Sequence, residues 1–291
     1  NTIRFFPDKK GLASGLITGG MGGAAIIAAP IANTLIERYG VSQAFWRMGL
    51  AYALIGFFFS LFIRSAPKQV VPQTAEGSEK APAKTITANK NWKEMLATPA
   101  FYLLILMFAM GAFSGLMIAS NASLIGQSMF GLSATAAAAY VSLYSLSNTS
   151  GRVFWGAVSD RIGQIRAVII IYSAIIFAFV LLVSVNQVWA FAAGVVTLGL
   201  CFGGVMGVFP GLVMDNFGPA NQGVNYGIVF IGFSSAAFVA PKVTASLAAA
   251  NDGDFTKAFY VAIAVVLLGL GLSLVYAKRK ADAKLAAEIV Q

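Results

Sequence analysis

The sequence has no histidine and a single cysteine, Cys201, among its 291 residues. Those two gaps remove the usual zinc and haem ligands, every histidine-based catalytic triad and any internal disulfide. Charge is scarce as well. Only 11% of residues are charged, where a soluble domain carries roughly 25%, so the chain has too little polar surface to face water on every side. No polar stretch is long enough to hold a soluble catalytic domain, and no metal or cofactor is implied. What fills the chain is apolar: 58% hydrophobic residues and a mean hydropathy of +0.78. The formal net charge of +9 would suit a nucleic acid, but its distribution does not. Lys and Arg stand in short clusters between long apolar runs, the pattern that orients a protein in a lipid bilayer.

A bilayer core of about 30 Å takes about 20 apolar residues in a helix to cross. The sequence predicts eight such spans, at 11–35, 43–64, 99–125, 134–158, 165–185, 187–214, 223–248 and 256–278. Turn residues separate most of them, as at Tyr39-Gly40, Phe130-Gly131, Val185-Asn186 and Asp252-Gly253. The connector over 65–91 reads SAPKQVVPQTAEGSEKAPAKTITANKN and is nearly free of large apolar side chains. It cannot offset its ordering entropy by burial, so it reads as a flexible linker. The following NWKEMLATPAFYLL reads as a short amphipathic piece on the membrane surface before the third span. Of the 20 Lys and Arg residues, fifteen fall on one side of this topology and only Arg38, Arg47 and Lys257 on the other. The positive-inside rule then places both ends and residues 65–98 in the cytoplasm, with the protein multi-pass in the plasma (inner) membrane.

An internal repeat sets the architecture. Phe6-Pro7-Asp8-Lys9-Lys10-Gly11 with Gly15 resembles Phe217-Gly218-Pro219-Ala220-Asn221-Gln222-Gly223 with Gly227. One span later, Ala44-Phe45-Trp46, Gly56 and Ser60-Leu61 match Ala258-Phe259-Tyr260, Gly269 and Ser273-Leu274, and the glycine offsets stay at 212 to 213 residues. Spans one and two thus repeat as spans seven and eight, which makes the unit six helices. This resembles the plan of the major facilitators, two parallel six-helix halves around a central cavity. On that plan the fold is all-α, the eight helices are the fifth to twelfth of twelve, and four helices precede residue 1. Residues 1–64 end the first half, 65–98 link, 99–278 form the second half and 279–291 a cytoplasmic tail. A full-length protein of this kind is expected to be a monomer.

Within the spans, Gly11, Gly15, Gly19 and Gly23 recur every four residues, a spacing that lets two helix backbones approach closely. Such a stripe is either static packing or a seam that moves. Between spans four and five stands Gly156-Ala157-Val158-Ser159-Asp160-Arg161-Ile162-Gly163-Gln164-Ile165-Arg166. It resembles the major facilitator signature loop, Gly, three residues, Asp-Arg, one residue, Gly and two basic residues, but Gln164 and Ile165 replace the basic pair. The resemblance implies that Asp160, with Arg161, Gly156 and Gly163, gates conformation by facing the positive end of a helix in the other half. By position that helix is the first span. A plain hairpin cap is the other reading.

Only Arg152 and Lys242 are charges inside spans, and no Asp or Glu accompanies them there. An ion at such depth costs at least a few kcal/mol and marks a functional site by default. Arg152 lies eight residues before Asp160, about 12 Å deeper at helical rise. Tyr140, Tyr144, Asn148 and Arg152 follow at four-residue spacing and form a polar stripe. A guanidinium beside an amide and phenols suits a carboxylate, since its fork accepts an anion through two hydrogen bonds. The competing reading is a structural arginine held by backbone carbonyls. Lys242 follows Pro241 near one end of its span, where an ammonium either snorkels to the headgroups or makes a second anion contact. Phe230, Phe233, Phe202 and Phe209 either wall a small-solute cavity or simply pack.

Further pieces resemble the oxalate:formate antiporter family of the major facilitators. They are Phe5-Phe6-Pro7-Asp8-Lys9-Lys10-Gly11-Leu12-Ala13-Ser14-Gly15, Glu94-Met95-Leu96-Ala97-Thr98-Pro99-Ala100-Phe101, Gly151-Arg152-Val153-Phe154-Trp155-Gly156, and Asp215-Asn216-Phe217-Gly218 with Asn225-Tyr226-Gly227. The resemblance implies secondary transport of a small organic anion by alternating access, not an enzyme. It also implies that Arg152, with Asn148 one turn before it, is the carboxylate-binding arginine. The family's oxalate antiporter carries a lysine where Phe233 stands here, so a single fixed charge favours a monocarboxylate such as lactate, pyruvate or formate. Oxalate:formate-type antiport is the alternative, and a transporter-fold carboxylate sensor the rival from another class. No group in the spans titrates near neutral pH, which leaves proton coupling and the choice of symport or antiport open.

Overall fold

The computed structural model describes residues 5–64 and 89–289, without the side chains of some positions in the first and last helices. Most of the expected linker, 65–88, lies outside the described residues. All regular structure among the described residues is helical. A 3-10 turn at Pro7–Lys9 leads into α1 (Lys10–Ser60), and there follow α2 (Trp92–Leu96), α3 (Pro99–Phe130), α4 (Ala134–Ile162) and α5 (Gln164–Ser184). The chain closes with α6 (Val188–Phe217), α7 (Gln222–Val229), α8 (Ile231–Ala249) and α9 (Thr256–Ile289).

Glycine sets the break in the first of these. Inside α1, Gly40 stands at φ 76° and ψ 165°, so α1 is two segments, 10–39 and 41–60, divided where the sequence places a turn. No residue with a side chain adopts that φ cheaply. Gly131 caps α3 in the left-handed conformation, and its N–H is held by the Gly126 carbonyl. α7 and α8 are one span interrupted at Phe230, whose helical torsions (φ −65°, ψ −15°) leave only a local irregularity.

Five helical stretches among the described residues are long and apolar enough to cross a membrane: Pro99–Phe130, Gln164–Ser184, Val188–Phe217, Gln222–Ala249 and Thr256–Asp282. The sequence predicts eight. One of the three others is α4, whose inner face carries Ser147, Asn148, Arg152 and Ser159, all buried, in place of aliphatic side chains. The other two are the segments of α1. At the far end, the tail expected from 279 continues α9 as helix to Ile289. Its Ala, Lys and Glu residues are strong helix formers, which explains the extension.

The helices pack around α4 and α6. α4 lies between α1 and α6, α3 packs on α8, and α9 closes against α5 and α3. Phe108, Tyr172, Phe179, Phe191, Phe209, Phe217 and Phe259 are fully buried aromatic side chains of the core. The short α2 begins at a capping box. Asn91 Oδ1 accepts from the N–H groups of Lys93 and Glu94 at 2.9 and 3.0 Å, and Glu94 Oε2 accepts from Asn91 N–H at 2.7 Å. The segment before it is tied to the α6–α7 turn. Lys90 N–H donates to the Phe217 carbonyl at 2.9 Å, and Asn225 and Asn221 side-chain amides donate to the Lys90 carbonyl at 3.0 and 3.1 Å. α2 is thus fixed to the helix ends beside it, with Met95 fully buried and Trp92 half exposed.

Candidate functional site

Two glycine stripes put α4 where it is. On one side, a Cβ at Gly11 would lie 2.2 Å from the Gly156 carbonyl oxygen, and one at Gly15 would lie 2.3 Å from that of Arg152. On the other, a Cβ at Gly203 would meet the Asn148 carbonyl at 2.0 Å and one at Gly207 the Arg152 carbonyl at 2.5 Å. The backbone that carries Asn148 and Arg152 is therefore pressed between α1 and α6 with no room for a side chain at those points. The second stripe, Gly199, Gly203, Gly207 and Gly211, has the same four-residue spacing as the first. That spacing is the signal by which sequence reasoning could have found it.

The first stripe does not keep its closeness. At Gly19 and Gly23 the nearest atoms to an added Cβ are side-chain methyls, Val153 Cγ2 at 3.4 Å and Thr149 Cγ2 at 3.5 Å. The α1–α4 seam is thus backbone against backbone at one end and ordinary van der Waals contact at the other. Asp160 closes the tight end. Its Oδ1 accepts from Gly11 N–H at 2.8 Å and its Oδ2 from Leu12 N–H at 2.9 Å, so a carboxylate sits on the free N–H groups of the α1 N-terminus. Beside it, Lys10 Nζ pairs with Asp215 Oδ1 of α6 at 3.2 Å, a contact that sequence reasoning missed. Arg161 is exposed at this end, and Gly163 takes φ 90° as the chain leaves α4.

Arg152 lies deeper on the same seam and is 8% exposed. Its Nε donates to Asn148 Oδ1 at 3.1 Å, as expected for residues one turn apart on a helix. Its Nη1 reaches across the seam and donates to the Thr18 backbone carbonyl of α1 at 2.7 Å. Among the described residues no Asp or Glu pairs with it. The site therefore holds a buried cation bonded to one side-chain amide and one backbone carbonyl, with no counter-charge among the described residues.

The other expected site residues divide. Tyr144 is buried, but its hydroxyl donates to the Gly115 carbonyl at 2.6 Å, which braces α4 against α3. Tyr140 packs on Phe191, with ring centroids 5.1 Å apart, away from the arginine. Phe233 joins an aromatic cluster: 4.7 Å from Phe230, 6.3 Å from Phe108 and stacked on Phe202 at 6.4 Å. Phe209 stacks on Phe108 at 4.6 Å, and Tyr226 packs on Phe230 at 5.7 Å. Tyr226 thus belongs to this aromatic wall. Lys242 is elsewhere. It is exposed, and its ammonium lies 3.7 Å above the ring of Phe238, itself 65% exposed. A cavity of about 460 Å³ between α3 and α8, lined by Asn121, Gln127, Ser128, Leu124, Phe255 and small residues, touches none of these groups.

The sequence profile of the Major Facilitator Superfamily matches residues 2–241. The chain is 32% identical over 235 residues to an uncharacterized MFS-type transporter, YhjX, of Escherichia coli (strain K12), covering 80% of this chain and 56% of that protein. It is 31% identical over 248 residues to the oxalate:formate antiporter of Oxalobacter formigenes, covering 84% of this chain and 54% of that one. The chain spans about half the length of the curated relatives it matches. With a profile match over most of its length on an all-helical scaffold, the chain belongs to the Major Facilitator Superfamily, and the oxalate:formate antiporter family is the part of it that the chain resembles.

Proposed function

We propose that the whole protein is a secondary active transporter of small carboxylates, working by alternating access, and not an enzyme. One observation carries the reading: Arg152 is buried, is positioned by Asn148 and Thr18, and has no acidic partner among the described residues. A desolvated guanidinium is costly without a counter-charge, and the simplest source of one is an anionic substrate. Its planar fork fits a carboxylate, and the aromatic wall of Phe202, Phe230, Phe233 and Tyr226 suits the body of a small organic acid.

A single fixed cation favours a monocarboxylate such as formate, lactate or pyruvate. Lys242, the other intramembrane charge expected from the sequence, rests on Phe238. Exchange of oxalate for formate is the second reading, and the similarity to the oxalate:formate antiporter favours it. In this proposal residues 1–64 and 99–278 belong to the two halves. Residues 65–98 and 279–291 are cytoplasmic, and the full-length protein is a monomer in the inner membrane. Asp160 on the α1 N-terminus closes the cytoplasmic side in one state.

Uptake of radiolabelled formate, lactate and oxalate by the full-length protein in vesicles tests the substrate class. Arg152→Lys keeps the charge and loses the fork. A hydrogen bond to a charged group is worth about 1.5–3 kcal/mol, so affinity should fall about ten- to a hundredfold while insertion stays normal. Undiminished carboxylate uptake by Arg152→Lys would sink the site and the substrate class with it.

A further inference from the structure

The Arg152–Thr18 bond joins two helices that otherwise meet only through packing at that depth. On the Asp160 side of it the seam is held by backbone contact at Gly11 and Gly15 and by the Asp160 and Lys10 contacts. On the far side, the nearest atoms to a Cβ added at Gly19 or Gly23 are the methyls of Val153 and Thr149. The Thr18 hydroxyl takes no part, because it donates to the Ser14 carbonyl of its own helix at 2.9 Å. The tie across the seam is the carbonyl alone.

We propose that the Thr18 carbonyl is the partner of Arg152 in the empty protein, and that a bound carboxylate displaces it and so releases α1 from α4 midway along the seam. The proposal rests on the carboxylate site proposed above. Guanidinium offers five N–H donors in a flat fork and accepts nothing. The two donors in use, Nε toward Asn148 and Nη1 toward Thr18, belong to different edges of that fork. A carboxylate seated along either edge competes with one of them. Replacing Asn148 frees nothing, since both residues are on α4. Replacing Thr18 unlinks two helices. A carboxylate also outcompetes a carbonyl, because it brings a full opposite charge and can accept two parallel N–H bonds from the fork at once.

The consequence is a coupling between occupancy and motion. An empty protein keeps its two halves tied at Arg152, and a loaded one does not. Only the loaded form then rearranges freely, which is what exchange of one anion for another demands of a carrier.

Spin labels on Gly20→Cys and Ser150→Cys, in the Cys201→Ser full-length protein in lipid vesicles, report the separation of α1 and α4 near this bond. Both positions are exposed, and Gly20 has open space around it. Formate, lactate and oxalate are each added, with chloride as the control, and binding is followed in parallel by calorimetry. The expected result is a rise of about ten- to a hundredfold in the ratio of long to short separations with a carboxylate that binds, and none with chloride. Arg152→Gln should show the long separation without ligand and no response to it. Binding with unchanged separation would overturn the exchange and leave the carboxylate site standing. Binding of none of the three anions would remove that site and this inference together. Should Arg152→Gln fail to insert, the response of the protein with Arg152 intact against chloride decides the matter alone.

Discussion

Arg152 shows what a single residue costs and what it implies. A guanidinium within an apolar helix was legible in the sequence because nothing else in that stretch is charged, and Asn148 one turn away was legible from helical spacing. Thr18 was not. Its contribution is a backbone carbonyl, and every residue has one, so no side chain advertises it. A backbone carbonyl does hold the arginine, as one of the two readings expected, and the carboxylate contact is the proposal made above. Lys242 shows the limit of the same reasoning. An apolar run around a lysine predicts an unusual setting but not which way the stem turns, and here it lies over Phe238. A cation–π contact at an exposed site is worth about 0.5–1 kcal/mol. Lys242→Gln should leave formate and lactate uptake within about fivefold, the most that an effect of about 1 kcal/mol allows. A selective loss of oxalate uptake would instead bring Lys242 into the substrate site.

At the scale of the helix, glycine spacing carries the information. Gly11 to Gly23 announced a face of close approach, and the distances show that only its first half is one. Periodicity cannot reveal that gradient, because it depends on whether the facing helix offers backbone or a methyl group. Substitutions along one stripe should therefore differ in sign and size. Gly15→Ala drives a methyl group into the Arg152 carbonyl, where backbone must move, and overpacking of this kind costs about 1–3 kcal/mol. Gly23→Ala meets Thr149 Cγ2 at 3.5 Å, an ordinary contact, and replaces the weakest helix former among ordinary residues by the strongest. Thermal unfolding of the purified full-length protein should show a lower midpoint for Gly15→Ala and an unchanged or higher one for Gly23→Ala. Equal destabilisation by the two would mean that the seam is uniformly tight. The carboxylate of Asp160 acts on the same element in another way. A charge at a helix N-terminus contributes about 0.3–1 kcal/mol when exposed and up to about 2 when partly buried, enough to bias one state of the seam without fixing it.

For the whole molecule, the contacts sort the helix ends into two sets. Lys10 with Asp215, Gly11 with Asp160, and Lys90 with Phe217 bring the α1 start, the α4 end, the α6 end and the α2 approach to one side. That grouping agrees with the alternation read from span counting, which assigns fifteen of the Lys and Arg residues to that side. Counting spans worked because long apolar runs are hard to hide. The span over 134–158 was equally legible and is the helix Ala134–Ile162, although its buried Ser147, Asn148, Arg152 and Ser159 make it less apolar than its neighbours. The proposed orientation, with this side in the cytoplasm, rests on the charge asymmetry, since Lys and Arg near span ends resist translocation while Asp and Glu count for little. In the Cys201→Ser background, a cysteine at Ser78 should then resist an impermeant thiol reagent in intact cells and react once the cells are opened. A cysteine at Asn251, beside the left-handed Asp252 that turns the chain between α8 and α9, should label in both conditions. The reverse pattern would invert the protein in the membrane, and the Asp160 contact would then close the outer side instead of the inner one.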